Sequence, residues 1–149
     1  MKESIKHKWF FSQAPQEVWE YLTKAELMEQ WLMKNDFYPA IGYQFQFRSN
    51  PIPSLEFDGI IYCTVLEMVP FKKLTYSWKS GPGNEQITLD STVTWTLNPK
   101  DGGTELLLDH SGFTNKVVEA LYNAMEDGWQ KNVQKIAKLL ITEHGTTNT

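Results

Sequence analysis

The sequence predicts an α+β domain in which a curved antiparallel sheet of about six strands wraps around a long C-terminal helix, with two short helices after the first strand. Three observations carry this. From residue 43 to residue 111 apolar and polar residues alternate with a period of two, in runs separated by short turn signals, as antiparallel strands require. From Thr114 to Thr142 the period changes to three and four, giving one continuous apolar stripe. That stripe has to be buried, and the only large apolar surface able to cover it is the aromatic face of the sheet.

The elements follow in order. Residues 4–11 place Ile5, His7, Trp9 and Phe11 on one side and Lys6 and Lys8 on the other, a strand. Pro15 suits the first turn of a helix, where a missing N–H costs nothing, and Val18, Trp19 and Leu22 follow at helical spacing. A second short helix covers Ala25 to Trp31. Tyr43, Phe45 and Phe47 then alternate with Gln44, Gln46 and Arg48, and the two prolines of Asn50–Ser54 make a loop. A strand runs from Gly59 to about Val69, and Pro70–Lys73 turns into the next, where Leu74, Tyr76 and Trp78 share one face. After the Ser80–Asn84 turn, Leu89, Ser91, Val93, Trp95 and Leu97 are in phase. Asn98–Gly103 signals a hairpin, and Leu106, Leu108 and His110 return in phase. In the last helix, Val118, Leu121, Tyr122, Met125, Trp129, Val133, Ile136, Ala137 and Leu140 form the stripe; Gly128 within it marks a kink or a close approach of backbone to sheet or ligand. Residues 143–149, with His144, read as a frayed polar tail, so 1–149 is expected to be a single domain.

Composition excludes several functions. Fourteen Lys and Arg against eighteen Asp and Glu give a net charge of −4, with no broad basic surface for nucleic acid or anionic lipid. No run of residues approaches a membrane span, and the apolar run Trp9–Phe11 is too short for a signal-peptide core, so a cytoplasmic location is expected. The single cysteine, Cys63, rules out an intramolecular disulfide and any multi-cysteine zinc site. No second histidine stands at ligand spacing and no glycine loop could cradle a phosphate, so neither metal nor cofactor is expected. Ser111-Gly112 lacks the surroundings of a nucleophile elbow.

Ala14-Pro15 with Val18-Trp19 and Leu22-Thr23, then Leu27 and Trp31, begin a pattern that spans nearly the whole chain. It continues through Gly59, Val65 to Val69-Pro70, Leu74, Tyr76-Ser77-Trp78, Val93-Thr94-Trp95-Thr96-Leu97, His110-Ser111-Gly112-Phe113 and Gly128-Trp129. In this it resembles the START-like, or helix-grip, superfamily, and within it the bacterial proteins similar to the activator of Hsp90 ATPase. The resemblance implies a cavity between sheet and long helix. It also implies three functions: non-catalytic binding of a hydrophobic small molecule, action on a chaperone as in a stress response, or a polyketide cyclase or dehydratase activity.

The candidate ligand-binding residues are the inward-phased ones: Phe45, Phe47, Tyr76, Trp78, Trp95 and His110 on the strands, with Trp31, Tyr122, Met125 and Trp129 on the helices. They either pack a solid core or line an apolar cavity of about 300–1,000 Å³, the common form of a small-molecule site. The abundance of Trp and Tyr speaks for a cavity, because buried N–H and O–H groups are awkward to satisfy in a dry core. His110 is the polar fixture of that cavity, or a structural residue capping the strand end. A cyclase would need His110 and one of Tyr62, Tyr76 or Tyr122 to converge. Binding of a hydrophobic or aromatic small molecule, without catalysis, is the favoured function; a chaperone is the alternative partner.

Overall fold

The computed structural model describes residues 3–142, so the tail expected at 143–149 lies outside the described residues. Seven strands form one antiparallel sheet: β1 (Ser4–Phe11), β2 (Lys34–Asn35), β3 (Gln44–Arg48), β4 (Ile60–Val69), β5 (Lys73–Ser80), β6 (Leu89–Lys100) and β7 (Gly103–Ser111). Their order is β1-β7-β6-β5-β4-β3-β2, so every neighbour is also the chain successor except β1, which pairs with β7. The seventh strand is β2, two residues long and too short to show a period, which pairs Lys34 with Arg48 and Asn35 with Phe47. A register shift between Val65 and Glu67 interrupts the β4–β5 ladder and helps the sheet curl.

Helices α1 (Pro15–Thr23) and α2 (Ala25–Trp31) stand where the sequence predicts them. The long helix α3 (Glu119–Leu140) begins at Glu119 rather than Thr114. The preceding residues form a turn instead, with the Val117 N–H donating to the Thr114 carbonyl at 3.1 Å and Val118 extended. β-Branched Val117 and Val118 disfavour a helical start there. At 1.5 Å per residue α3 is about 33 Å long. The helix runs unbroken through Gly128.

The strand phases hold throughout. Phe45, Phe47, Ile61, Cys63, Val65, Leu74, Tyr76, Trp78, Leu89, Val93, Trp95, Leu97, Leu106, Leu108 and His110 are all buried. Against them α3 buries Leu121, Tyr122, Trp129, Val133, Ile136 and Leu140, one stripe at three-and-four spacing. This is the helix-grip arrangement, a curled sheet closed by its C-terminal helix. Among the described residues no helix is long and apolar enough to cross a membrane, and no cluster of His, Cys, Asp and Glu could hold a metal ion.

Candidate functional site

Trp129 fixes α3 to the sheet. It is 3% exposed, with its ring 5.1 Å from that of Trp78 and edge-on to Trp95 at 5.4 Å. Its indole N–H donates to His110 Nδ1 at 3.1 Å. On the other side of the imidazole, Ser91 Oγ lies 2.8 Å from His110 Nε2 and donates its own proton to the Trp78 carbonyl at 2.7 Å. With that proton committed, His110 Nε2 must carry hydrogen and Nδ1 must be bare, a single neutral tautomer. Complete burial among aromatic rings lowers the His110 pKa from 6.5 to about 3. Both ring nitrogens are occupied inside the protein, and the turn after β7 is not among its partners.

Two other buried indoles are also satisfied inside the protein. Trp31 donates to the Tyr21 carbonyl at 2.7 Å, and Trp95 donates to Tyr76 Oη at 2.9 Å. Burial pushes the Tyr76 hydroxyl well above its usual range. For Trp31, Trp95 and Trp129 the awkwardness of ring N–H groups in a dry core, which the composition suggested, is resolved by partners within the protein. It therefore does not by itself demand a cavity.

A cavity exists nonetheless, beside this network, between the mouth of the sheet and the middle of α3. Its volume is about 170 Å³, below the range expected from the sequence. Ile61, Trp78 and Ser80 form the sheet wall; Leu121, Ala124, Met125, Gly128, Trp129 and Asn132 form the helix wall. Leu32 and Met33 close one end, and Ser49, Ile52, Leu55 and Phe57 reach over from the β3–β4 loop. That loop is tied at its neck, where Ile52 and Phe57 exchange backbone hydrogen bonds at 2.8 and 3.3 Å. None of the lining residues is ionisable.

Gly128 explains part of the space. A Cβ built there would meet nothing within 4 Å. A glycine in a helix interior costs about 1 kcal/mol relative to alanine, so its place here trades helix stability for open volume.

Of the ten candidates, the structure brings three to this cavity: Trp78, Met125 and Trp129. Phe45, Phe47, Tyr76, Trp95, Trp31, His110 and Tyr122 pack behind it instead, each no more than 4% exposed. Their rings interlock edge to face, as in Phe45 with Tyr76 at 5.4 Å and Trp31 with Trp95 at 6.0 Å, which is how bulky rings fill a curved surface without leaving a gap. Tyr62 lies exposed on the outer face of the sheet, opposite Lys79. The Tyr122 hydroxyl donates to the Ser4 carbonyl at 3.2 Å. None of Tyr62, Tyr76, Tyr122 and His110 lines the cavity.

Sequence reasoning missed Ser80 and the loop residues. Ser80 continues the inward phase of Tyr76 and Trp78, a signal hidden because Ser80 also reads as the start of a turn. Ile52, Leu55 and Phe57 are apolar residues spaced among prolines, a hint that this loop covers something.

The family model described as Activator of Hsp90 ATPase homolog 1-like protein matches residues 12–141. The chain belongs to that family. Among solved structures, protein MLL2253 from Mesorhizobium loti is 34% identical, with a TM-score of 0.79 over 92% of this chain and 96% of that one. The Aha1 dimer from Colwellia psychrerythraea shares the fold at 16% identity, with a TM-score of 0.71 over 90% of this chain and 92% of that one. CalU16 from Micromonospora echinospora does so at 20% identity, with a TM-score of 0.71 over 92% of this chain and 73% of that one. No curated protein matches the chain. The family is a branch of the START-like superfamily, as the residue pattern implied.

Proposed function

We propose that this member of the family binds an uncharged hydrophobic or aromatic small molecule between the sheet and α3, without transforming it. The observation that carries this reading is the chemistry of the cavity wall, which is apolar, bears aromatic surface from Trp78, Trp129 and Phe57, and contains no ionisable side chain. General acid-base catalysis needs a proton carrier within hydrogen-bond reach of substrate. The two inner-face groups nearest to such a role, His110 and Tyr76, already hold Trp129 and Trp95. The reading takes the protein to act in the cytoplasm, where an unpaired thiol such as Cys63 stays reduced.

The test is a titration with uncharged single-ring aromatics such as toluene, followed by tryptophan fluorescence and thermal melting. Trp78 and Trp129 should report occupancy, and melting should rise with ligand concentration by mass action. No fluorescence change and no thermal shift across such a panel would reject the reading. A chaperone partner would then come first, on the strength of the family and of the exposed apolar residues Tyr38, Ile41 and Tyr43, with Tyr38 and Tyr43 ring to ring at 5.7 Å.

A further inference from the structure

Resting on that reading, the cavity wall narrows the ligand further. Ser80 is 2% exposed, yet its hydroxyl has no hydrogen-bond partner among the described residues. Two residues earlier on the same inward face of β5, Trp78 is 3% exposed, and its indole N–H has no partner among them either. Both residues line the cavity. Buried polar groups are almost always paired, as the indoles of Trp31, Trp95 and Trp129 are, whereas the buried indole N–H of Trp9 on β1, which does not line the cavity, is not. Ser80 and Trp78 differ from Trp9 in bordering open space, where a bound molecule can supply the partner. An indole N–H can only donate, whereas a serine hydroxyl can donate or accept, so a partner for both must present an acceptor atom, such as an oxygen, and can also offer a proton.

Size sets the rest of the molecule. An apolar cavity of about 150 Å³ is enough to take up benzene. At about 170 Å³, this one has room for a single six-membered ring with a small substituent. No Lys or Arg lines it to offset a carboxylate, so the oxygen must be uncharged.

We infer that the ligand is a single-ring aromatic compound bearing one uncharged oxygen substituent, a phenol or its close equivalent, anchored by the Ser80 hydroxyl with help from the Trp78 N–H. Ser80 is thus a specificity-determining residue: it repays the desolvation that a phenolic hydroxyl loses on entering an apolar cavity.

Isothermal titration with p-cresol, toluene and 4-methylbenzoate, in the wild type and in Ser80→Ala, tests this. The three probes share one shape and differ in a single group. In the wild type p-cresol should bind at least as tightly as toluene, and 4-methylbenzoate should show no binding. In Ser80→Ala the hydroxyl is left without its anchor, and the preference should swing about tenfold toward toluene. A wild type that already discriminates against p-cresol as strongly as Ser80→Ala does would overturn the anchor while leaving the apolar site intact. So would binding of 4-methylbenzoate comparable to that of p-cresol. Failure of both toluene and p-cresol to bind the wild type would instead reject the binding function itself.

Discussion

Lowering the pH should destabilise this protein through His110 before its ordinary surface carboxylates titrate. In the unfolded chain the imidazole has its usual pKa of 6.5, whereas in the folded protein burial holds it down to about 3. Below the unfolded value the unfolded chain takes up a proton that the folded one refuses. The stability is therefore complete above the unfolded pKa and falls by about 1.4 kcal/mol for each pH unit down to the folded one. Between about pH 7.5 and about pH 5 the loss amounts to about 2 kcal/mol. Urea unfolding followed by tryptophan fluorescence should find that loss in the wild type and not in His110→Gln, which cannot titrate. Groups common to both proteins cancel in the difference. Nitrogen NMR of the imidazole gives a second readout, in which Nε2–H and bare Nδ1 should persist across the whole window. Equal pH slopes in the two proteins, or an imidazole that titrates near its ordinary value in the folded state, would refute the locked network of Trp129, His110 and Ser91.

Three further outcomes follow from the geometry. Gly128→Leu should abolish toluene binding yet raise Tm by about 2–4 °C, because it recovers helix propensity and fills open space; a fall in Tm would mean that the space is not there. Trp129→Ala should cost about 3–5 kcal/mol in urea unfolding, since it opens the core and strands His110 Nδ1 without a donor; a cost under about 1 kcal/mol would contradict its anchoring role. Cys63 is 4% exposed, and burial raises its thiol pKa, so a disulfide-exchange reagent should label it only under denaturing conditions. Rapid labelling of the native protein would show that β4 opens.

The fold was legible because its signals are local. Two-residue alternation assigned the inward face of every long strand, down to Ser91 and His110, and the stripe on α3 had only one surface to meet. The site was less legible. Inward phase tells which side chains leave solvent but not which of them touch each other, so Phe45, packed on Tyr76, and Trp95, packed on Trp31, looked the same as Trp78 and Met125, which border empty space. The cavity sits where the covering comes from the β3–β4 loop, and a loop carries no period. Gly128 stood out in the sequence as an anomaly in the helix, and its meaning became visible only once the space beside it was seen.

The central claim, that a small uncharged aromatic molecule occupies the space between β5 and α3, is tested most directly by intermolecular nuclear Overhauser effects from p-cresol to the isotope-labelled protein. Contacts are predicted to the methyl groups of Met125, Leu121 and Ile61 and to the Trp78 ring, with none to the interlocked rings of Phe45 and Phe47. Contacts confined to the exposed side chains of Tyr38, Ile41 and Tyr43, with none to Met125, would contradict it.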